Sequence, residues 1–436
     1  MSRTFRLIVL GYVVLCSPYL CAQSRILGID EMFRLADENS TSIQTYATGK
    51  EAAAEALKAA QMQRLPDISA SVSASYWGNG RLWDRDFSNA TKIDMPHWGN
   101  NFALEAQQMI YAGGAITSGI RLAKLDQQTA ELDWEKNRQD IRFQLLGYYL
   151  NLYKLNNQEQ VLEKNLELTR QVIADMQARR EQGTALQNDI TRYELQLQSL
   201  ELQREKVKDA CSIMNHQLVT TLHLPEGTVI VPDSTLLDSE VQALSENDWQ
   251  EIASASNLDL RQAKTGIDIR EQQVVRERSE RLPKISLVAS EHLDGPITIE
   301  VPVLDNNFNY WFVGVSVSYN LSSLFKNNNK LKQAKLNVRR AQESHQLAQE
   351  QIENAVQACY TNFLTAYTEL RTQEKNVQLA NENYSVTSNR YRNELALLTD
   401  MLDASNTKLS ADLALVNARI DLVFHYYQMK YVTHTL

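Results

Sequence analysis

Side chains able to do chemistry are few and scattered in this chain of 436 residues. The seven histidines show no paired spacing and no carboxylate placed as a metal site needs. His97 and His292 fall in or beside loops between strands. His216, His223, His345 and His425 fall in helical stretches, where a packed or solvated histidine is far commoner than a ligand. There is no glycine-rich phosphate loop and no nucleophile elbow; Gly113-Gly114 reads as a strand-to-helix transition. The expectation is a protein that is not an enzyme and holds no cofactor or metal. The carboxylates that stand out lie in Arg390 to Ala404, RYRNELALLTDMLDA, where one helix ends and another begins. By residue type alone, Asp400 caps the returning helix and Asp403 lies in its first turn, where the helix dipole favours negative charge.

The elements around that turn are long. Phe325 to Asn393 contains no Pro and no Gly and is rich in Gln, Ala, Leu, Lys and Glu, which predicts one helix of roughly 100 Å. Beyond the turn, Leu402, Leu409, Leu413, Val416, Ile420, Val423 and Tyr427 form the seam of a helix packed lengthwise on partners. Only 15 Gly and 8 Pro in the whole chain argue for extended regular structure over several globular domains.

Arg3 and Arg6, an apolar run from Leu7 to Leu20, and Cys21-Ala22-Gln23 predict a secretory signal over 1–22, cleaved after Ala22. Acylation of Cys21 is the weaker reading, because Leu20 precedes it. Cleavage removes two arginines and no acid, taking the formal net charge from −9 to −11 and arguing against nucleic acid as a partner. Cys211 and Cys359 then remain, each inside a helical pattern and read as a small apolar side chain rather than half of a disulfide. No other stretch is apolar for eighteen residues, so any residence in a membrane must come from strands.

The chain is duplicated. Arg64-Leu65-Pro66 recurs as Arg281-Leu282-Pro283, and Phe102 is matched with Phe312. Further on the offset settles at 211 residues: Ala123-Lys124 with Ala334-Lys335, Tyr149-Leu150-Asn151 with Tyr360-Thr361-Asn362, Arg179 with Arg390, Asp189 with Asp400. Each half reads helix, strand, strand, long helix, turn, helix. The first repeat spans 23–245: a helix from Ile29 to Gln63, a β-hairpin 66–111, a helical hairpin 115–223 turning at Gln182-Gly183-Thr184, and an irregular equatorial segment 225–245. The second spans 246–436, with a helix from Glu246 to Arg281, a β-hairpin 283–321 and a helical hairpin 325–433.

Both β-hairpins alternate apolar and polar residues. Ile68, Val72 and Tyr76 alternate with Ser69, Ser71, Ser73 and Ser75; Phe102, Leu104 and Ala106 oppose Glu105 and Gln107; Trp311, Val313, Val315 and Val317 give the strongest pattern. Each strand is long enough to cross a bilayer when tilted, and Trp77, Trp98, Tyr310 and Trp311 stand where an aromatic girdle would lie. A small antiparallel sheet covering a soluble core fits the alternation equally well. The flanking rods, which offer nothing to cover the hairpins, favour the membrane. Four strands cannot close a barrel, so a barrel must be shared between copies; two would supply eight strands and three would supply twelve.

Duplicated halves, RLP before each first strand, Tyr111-Ala112-Gly113-Gly114 after the second strand, and Arg390-Tyr391 followed by Thr399-Asp400 and Leu402-Asp403-Ala404 resemble the TolC-type outer membrane efflux proteins over essentially the whole mature chain. The resemblance implies a mainly α, α+β fold: a homotrimer whose twelve-stranded β-barrel in the outer membrane continues into a periplasmic α-barrel of long helices. It implies a channel docked by a periplasmic adaptor (membrane fusion protein) and an inner membrane transporter, exporting drugs, toxins or, in type I secretion, proteins. By that resemblance Asp400 and Asp403 narrow the periplasmic entrance, Asp189 is the acidic position of the first half, and Tyr391 helps hold the closed state. Copies of two acids facing a narrow lumen would bind cations and slow passage, and capping and gating can coexist. The tips Gln182, Gly183, Thr184 and Asn393, Glu394, Leu395 would meet the adaptor, whose contact untwists the hairpins. Two positions depart from the pattern: Glu394 replaces a turn glycine, which bears on docking geometry at that tip, and Ala396 stands where some members carry a gate arginine. Arg192 could substitute by pairing with Asp403. The rival expectation is a non-conducting, periplasm-spanning spacer or adhesin anchored by a shared barrel.

Overall fold

The computed structural model describes residues 24–184, 186–233, 244–300 and 303–436. The expected signal over 1–22 and residues 234–243 of the equatorial segment lie outside them.

Four long helices set the dimensions. α3 (Ala115–Glu181) and α7 (Ser323–Arg392) have 67 and 70 residues and run for about 100 Å. α4 (Gln187–Thr221) and α8 (Leu398–Val432), of 35 residues each, fold back along their C-terminal halves. The N-terminal halves pack instead on α2 (Thr41–Met62) and α6 (Leu258–Ser279). Four helices are therefore present at either level of the rod. The bounds of the paired helices differ by 211 residues at both ends of α4 and α8 and at the C-terminal ends of α3 and α7, the spacing read from the sequence.

The two shorter helical segments are each broken, where the sequence predicts continuous helices. α1 (Ile29–Asn39) is separated from α2 by Ser40, and α5 (Glu246–Ser256) from α6 by Asn257, both extended with ψ of 121° and 123°. Neither break has a Pro or Gly to announce it. Contacts distant in sequence hold them: Asn39 Nδ2 donates to Leu222 O (3.4 Å) at the end of α4, and Asn257 Nδ2 donates to Val432 O (3.0 Å) at the end of α8. Asn257 Oδ1 also accepts from Leu260 N–H (3.1 Å), capping α6.

A belt at mid-rod carries the largest core. Leu27, Met32, Leu145, Leu146, Tyr149, Leu218, Leu222, Ile230 and Ile420 are buried together. Here β1 (Ser24–Leu27) pairs in parallel with β6 (Val229–Pro232), an element outside the sequence expectation because each strand is only four residues long. The Tyr149 hydroxyl joins them, donating to Leu27 O (2.7 Å) and accepting from Asp233 N–H (2.8 Å). Arg142 pairs with Asp37, donates to Leu436 O (3.1 Å) and lies over the Phe33 ring, tying α1 and the C-terminus to α3.

At the other end of the rod is one antiparallel sheet in the order β2 (Asp67–Tyr76), β5 (Trp98–Tyr111), β7 (Lys284–Gly295), β8 (Phe308–Ser318). β5 and β7 join the two repeats. A small hairpin, β3 (Gly80–Leu82) and β4 (Thr91–Ile93), lies in the outer loop. The register places Ile68, Ala70, Val72 and Tyr76 beside Ala106, Leu104, Phe102 and Trp98, and Leu287 beside Val315, so one face is apolar throughout most of its area. The other face carries Ser69 beside Glu105 and Asn101 beside Asp294. Leu282 of the second RLP motif packs at Gly113, whose φ is +63°; a Cβ there would lie 2.8 Å from Leu282 Cβ and from Ser279 O. Two motifs separated by the whole first helical hairpin thus meet at the junction of sheet and rod.

Two sequence readings need correction. Phe102 and Phe312, matched as equivalents, stand on opposite faces: Phe102 lies beside Val72 and Leu293, while Phe312 pairs with Ser290 on the polar face. The residue equivalent to Phe102 by face is Val313, at the 211-residue spacing, because a one-residue slip inverts the face in a structure of period two. The girdle is also divided. Trp98 and Trp311 stand on the apolar face with Tyr76, whereas Tyr310 turns inward onto His292, ring centroids 5.1 Å apart, and the indole of Trp77 lies beside Ser75 of the polar face.

Candidate functional site

The helical tips are two copies of one motif. At the end of α3, Thr184 N–H donates to Arg179 O (2.9 Å) and Gly183 N–H to Arg180 O (2.9 Å), with Gly183 at φ +79°. At the end of α7, Leu395 N–H donates to Arg390 O (2.8 Å) and Glu394 N–H to Tyr391 O (3.0 Å), with Glu394 at φ +60°. Both are Schellman turns, which satisfy otherwise orphaned carbonyls with a left-handed residue one position past the cap. Glu394 therefore keeps the backbone geometry of the glycine it replaces. Gln182, Gly183, Thr184, Asn393, Glu394 and Leu395 are all exposed at these ends.

Asp400 and Asp403 are exposed on the first two turns of α8. The N-cap is Leu397, and the Asp400 carboxylate in the first turn accepts from Leu397 N–H (3.1 Å), so it caps the helix from inside; Asp403 lies in the second turn rather than, as expected, the first. Asp403 has no such bond among the described residues, and the carboxylate is free to face whatever lies beside α8. Asp189 is half-buried in the first turn of α4 and acts electrostatically on Tyr391. The Tyr391 hydroxyl is pushed up by burial and, to a smaller extent, by Asp189, against the opposing effect of Arg179. Arg192 is exposed, and no ion pair joins it to Asp403 in the protomer. One turn above, Gln196 Nε2 donates to Asn406 Oδ1 (3.0 Å), so side chains of α4 and α8 reach one another at this level although both helices pack chiefly on α3 and α7.

Two residues absent from the sequence-based site organise it. Arg179 lies over the Tyr391 ring, 5.7 Å from its centroid, and donates to Arg392 O (3.3 Å), linking the first tip to the second. Its repeat equivalent Arg390 instead donates to Leu395 O (3.3 Å) within its own turn. The duplicated arginine was visible as a repeat position; its division of labour was not. Tyr193 is 2% exposed among Ile173, Met176, Ile190 and Leu398, its hydroxyl without a hydrogen-bond partner among the described residues and its pKa raised by burial. Nothing in its sequence context distinguishes it from a seam residue.

Among the described residues, no cluster of three or more His, Cys, Asp or Glu is placed to hold a metal ion. No described helix is long and apolar enough to cross a membrane.

Known proteins resemble this chain along its length. The chain is 23% identical over 437 aligned positions to the outer membrane protein TolC of Salmonella enteritidis, covering 95% of this chain and 83% of that one. It is 22% identical over 280 residues to the proteases secretion protein PrtF of Dickeya chrysanthemi, covering 61% of this chain and 58% of PrtF's length. Among solved structures, the outer membrane protein VceC of Vibrio cholerae shares the fold with a TM-score of 0.78 at 16% identity, covering 93% of this chain and 96% of that one. CusC does so with a TM-score of 0.79 at 13% identity, covering 93% and 91%. The family model for outer membrane efflux proteins matches residues 33–222 and 249–424, one segment in each repeat. With both repeats matched and the fold shared from barrel strands to helical tips, the chain belongs to the outer membrane efflux protein family.

Proposed function

We infer that this protein is the outer membrane duct of a tripartite export system, a homotrimer opened at its helical tips by a periplasmic adaptor and supplied by an inner membrane transporter. The sheet carries this reading: its apolar face is exposed, with Val72 71% and Val315 65% accessible, and its edges β2 and β8 are unpaired. Such edges are satisfied in a bilayer only by closure, and three copies supply twelve strands, enough for an open lumen. The four-helix cross-section of the rod, three times repeated, continues that lumen across the periplasm. PrtF is a proteases secretion protein, so protein secretion stands beside small-molecule efflux as cargo.

The gate proposed here consists of Asp400, Asp403, Asp189, Tyr391 and Arg192, with the two Schellman tips as adaptor contacts. Carboxylates repeated around a three-fold axis form a ring that holds cations and resists passage. The Gln196–Asn406 bond supports Arg192 as a neighbour of Asp403, since it brings side chains of α4 and α8 together one turn away. The Asp400→Asn, Asp403→Asn double variant removes charge while leaving an oxygen able to cap α8. In planar bilayers the wild type gives small cation-selective openings, and the variant larger and less selective ones. Equal conductance would leave Asp400 a cap only and Asp403 without a gating role; silence from both proteins, despite confirmed trimers, would favour a non-conducting spacer.

A further inference from the structure

The inner face of β8 is unlike the rest of the lumenal wall. Phe308, Tyr310 and Phe312 alternate onto it, while β2 presents Ser69, Ser71, Ser73 and Ser75 on the same face. The Tyr310 ring stacks on Phe308 (5.3 Å between centroids) and His292 (5.1 Å), and its hydroxyl donates to Asp294 (3.3 Å). Below Phe312 the next position on this face is Gly314, facing Val288. The hollow against Phe312 has a volume of about 340 Å³, lined also by Asp67, Glu105, Ser290 and Val288. Phe308 and Phe312 remain about half exposed. A wall meeting only water would gain by carrying polar side chains there.

Charge on this face is one-sided. Asp67, Glu105 and Asp294 have no ion-pair partner among the described residues, and the one lysine or arginine in the four strands, Lys284, lies 3.5 Å from Glu280. Aromatic faces attract a cation through the ring quadrupole and a planar apolar body through contact, and neighbouring carboxylates strengthen the first. We propose that the Phe308–Tyr310–Phe312 ladder, with Glu105 and Asp294, forms a lumenal binding site for planar aromatic organic cations. The proposal rests on the duct reading above. Small inorganic cations, which keep their hydration shells, gain little from the ladder, and neutral aromatics nothing from the carboxylates.

Ethidium serves as the probe, added in planar bilayer recordings from the side of β3 and β4, so that it reaches the barrel without passing the helical tips. It reduces the wild-type current in a saturable way, and tetraethylammonium at equal concentration is about tenfold less effective. The Tyr310→Leu, Phe312→Leu variant keeps apolar bulk and unblocked conductance but weakens ethidium block about tenfold; Glu105→Gln alone weakens it at least about threefold. Block by ethidium no better than by tetraethylammonium, or unchanged in these variants, would overturn the site. Ethidium fluorescence titration of the detergent-solubilised protein separates the two proposals. Saturable binding lost in the variants, with no current from any protein, keeps the site and removes the duct; absent binding removes the site whatever the conductance.

Discussion

Glu394 occupies a backbone conformation that costs a residue with a Cβ about 1 kcal/mol relative to glycine. The Schellman bonds around it over-determine the turn, so the strain persists. Glu394→Gly should slow amide exchange at Glu394 and Leu395 by up to about fivefold, corresponding to about 1 kcal/mol of local stability, with the tip hydrogen bonds unchanged; hydrogen-exchange mass spectrometry reads this directly. Tyr149 makes a prediction for pH. Burial raises its hydroxyl from 10.0 to about 12, so the folded state holds this proton more tightly than the unfolded state does. Its contribution is fully present below pH 10 and is lost as pH rises through about 12. Denaturant midpoints of the wild type should fall across that window and those of Tyr149→Phe should fall less. At neutral pH Tyr149→Phe should cost about 1–3 kcal/mol, because Leu27 O and Asp233 N–H lose their shared partner. Gly183 was legible as a turn from its type alone. That Glu394 takes the same conformation was not, since glutamate seldom does.

At the scale of elements, the chain alternates rods that are locally encoded with joints that are not. Proline-free, glycine-poor stretches with seam periodicity gave α3, α4, α7 and α8 within a few residues of their observed ends. The breaks at Ser40 and Asn257 escaped the sequence, because their stabilising partners Leu222 and Val432 lie 183 and 175 residues from the side chains that bind them. The joint at Gly113 is the most sharply constrained. A methyl group there meets the Ser279 carbonyl and Leu282 Cβ in a left-handed residue, so neither partner can yield by a simple rotamer change. Gly113→Ala should cost about 2 kcal/mol or more, from strain and overpacking together. It should lower the yield of membrane-inserted protein and its thermal midpoint, whereas Gly147→Ala, in open space on α3, should be neutral or stabilising.

For the molecule as a whole, the decisive feature is a sheet that one chain cannot complete. β2 is exposed along its length and β8 along most of it, and their outer edges have no strand partner among the described residues. Native mass spectrometry from detergent should find three protomers and no stable monomer, and a dimer would revise the closure to eight strands. Alternation, duplication, the long rods and the RLP, glycine-pair and acidic turn motifs all lie in the sequence, because helix seams and pleated faces are periodic in it and repeats are copied in it. Tertiary structure decided what that periodicity leaves open: which face Phe312 and Tyr310 occupy, since a one-residue shift inverts a strand; the joining of the tips through Arg179; the mid-rod belt built from two four-residue strands; and the meeting of Gly113 with Leu282. Each depends on contacts between residues far apart in the chain, and local pattern carries no record of them.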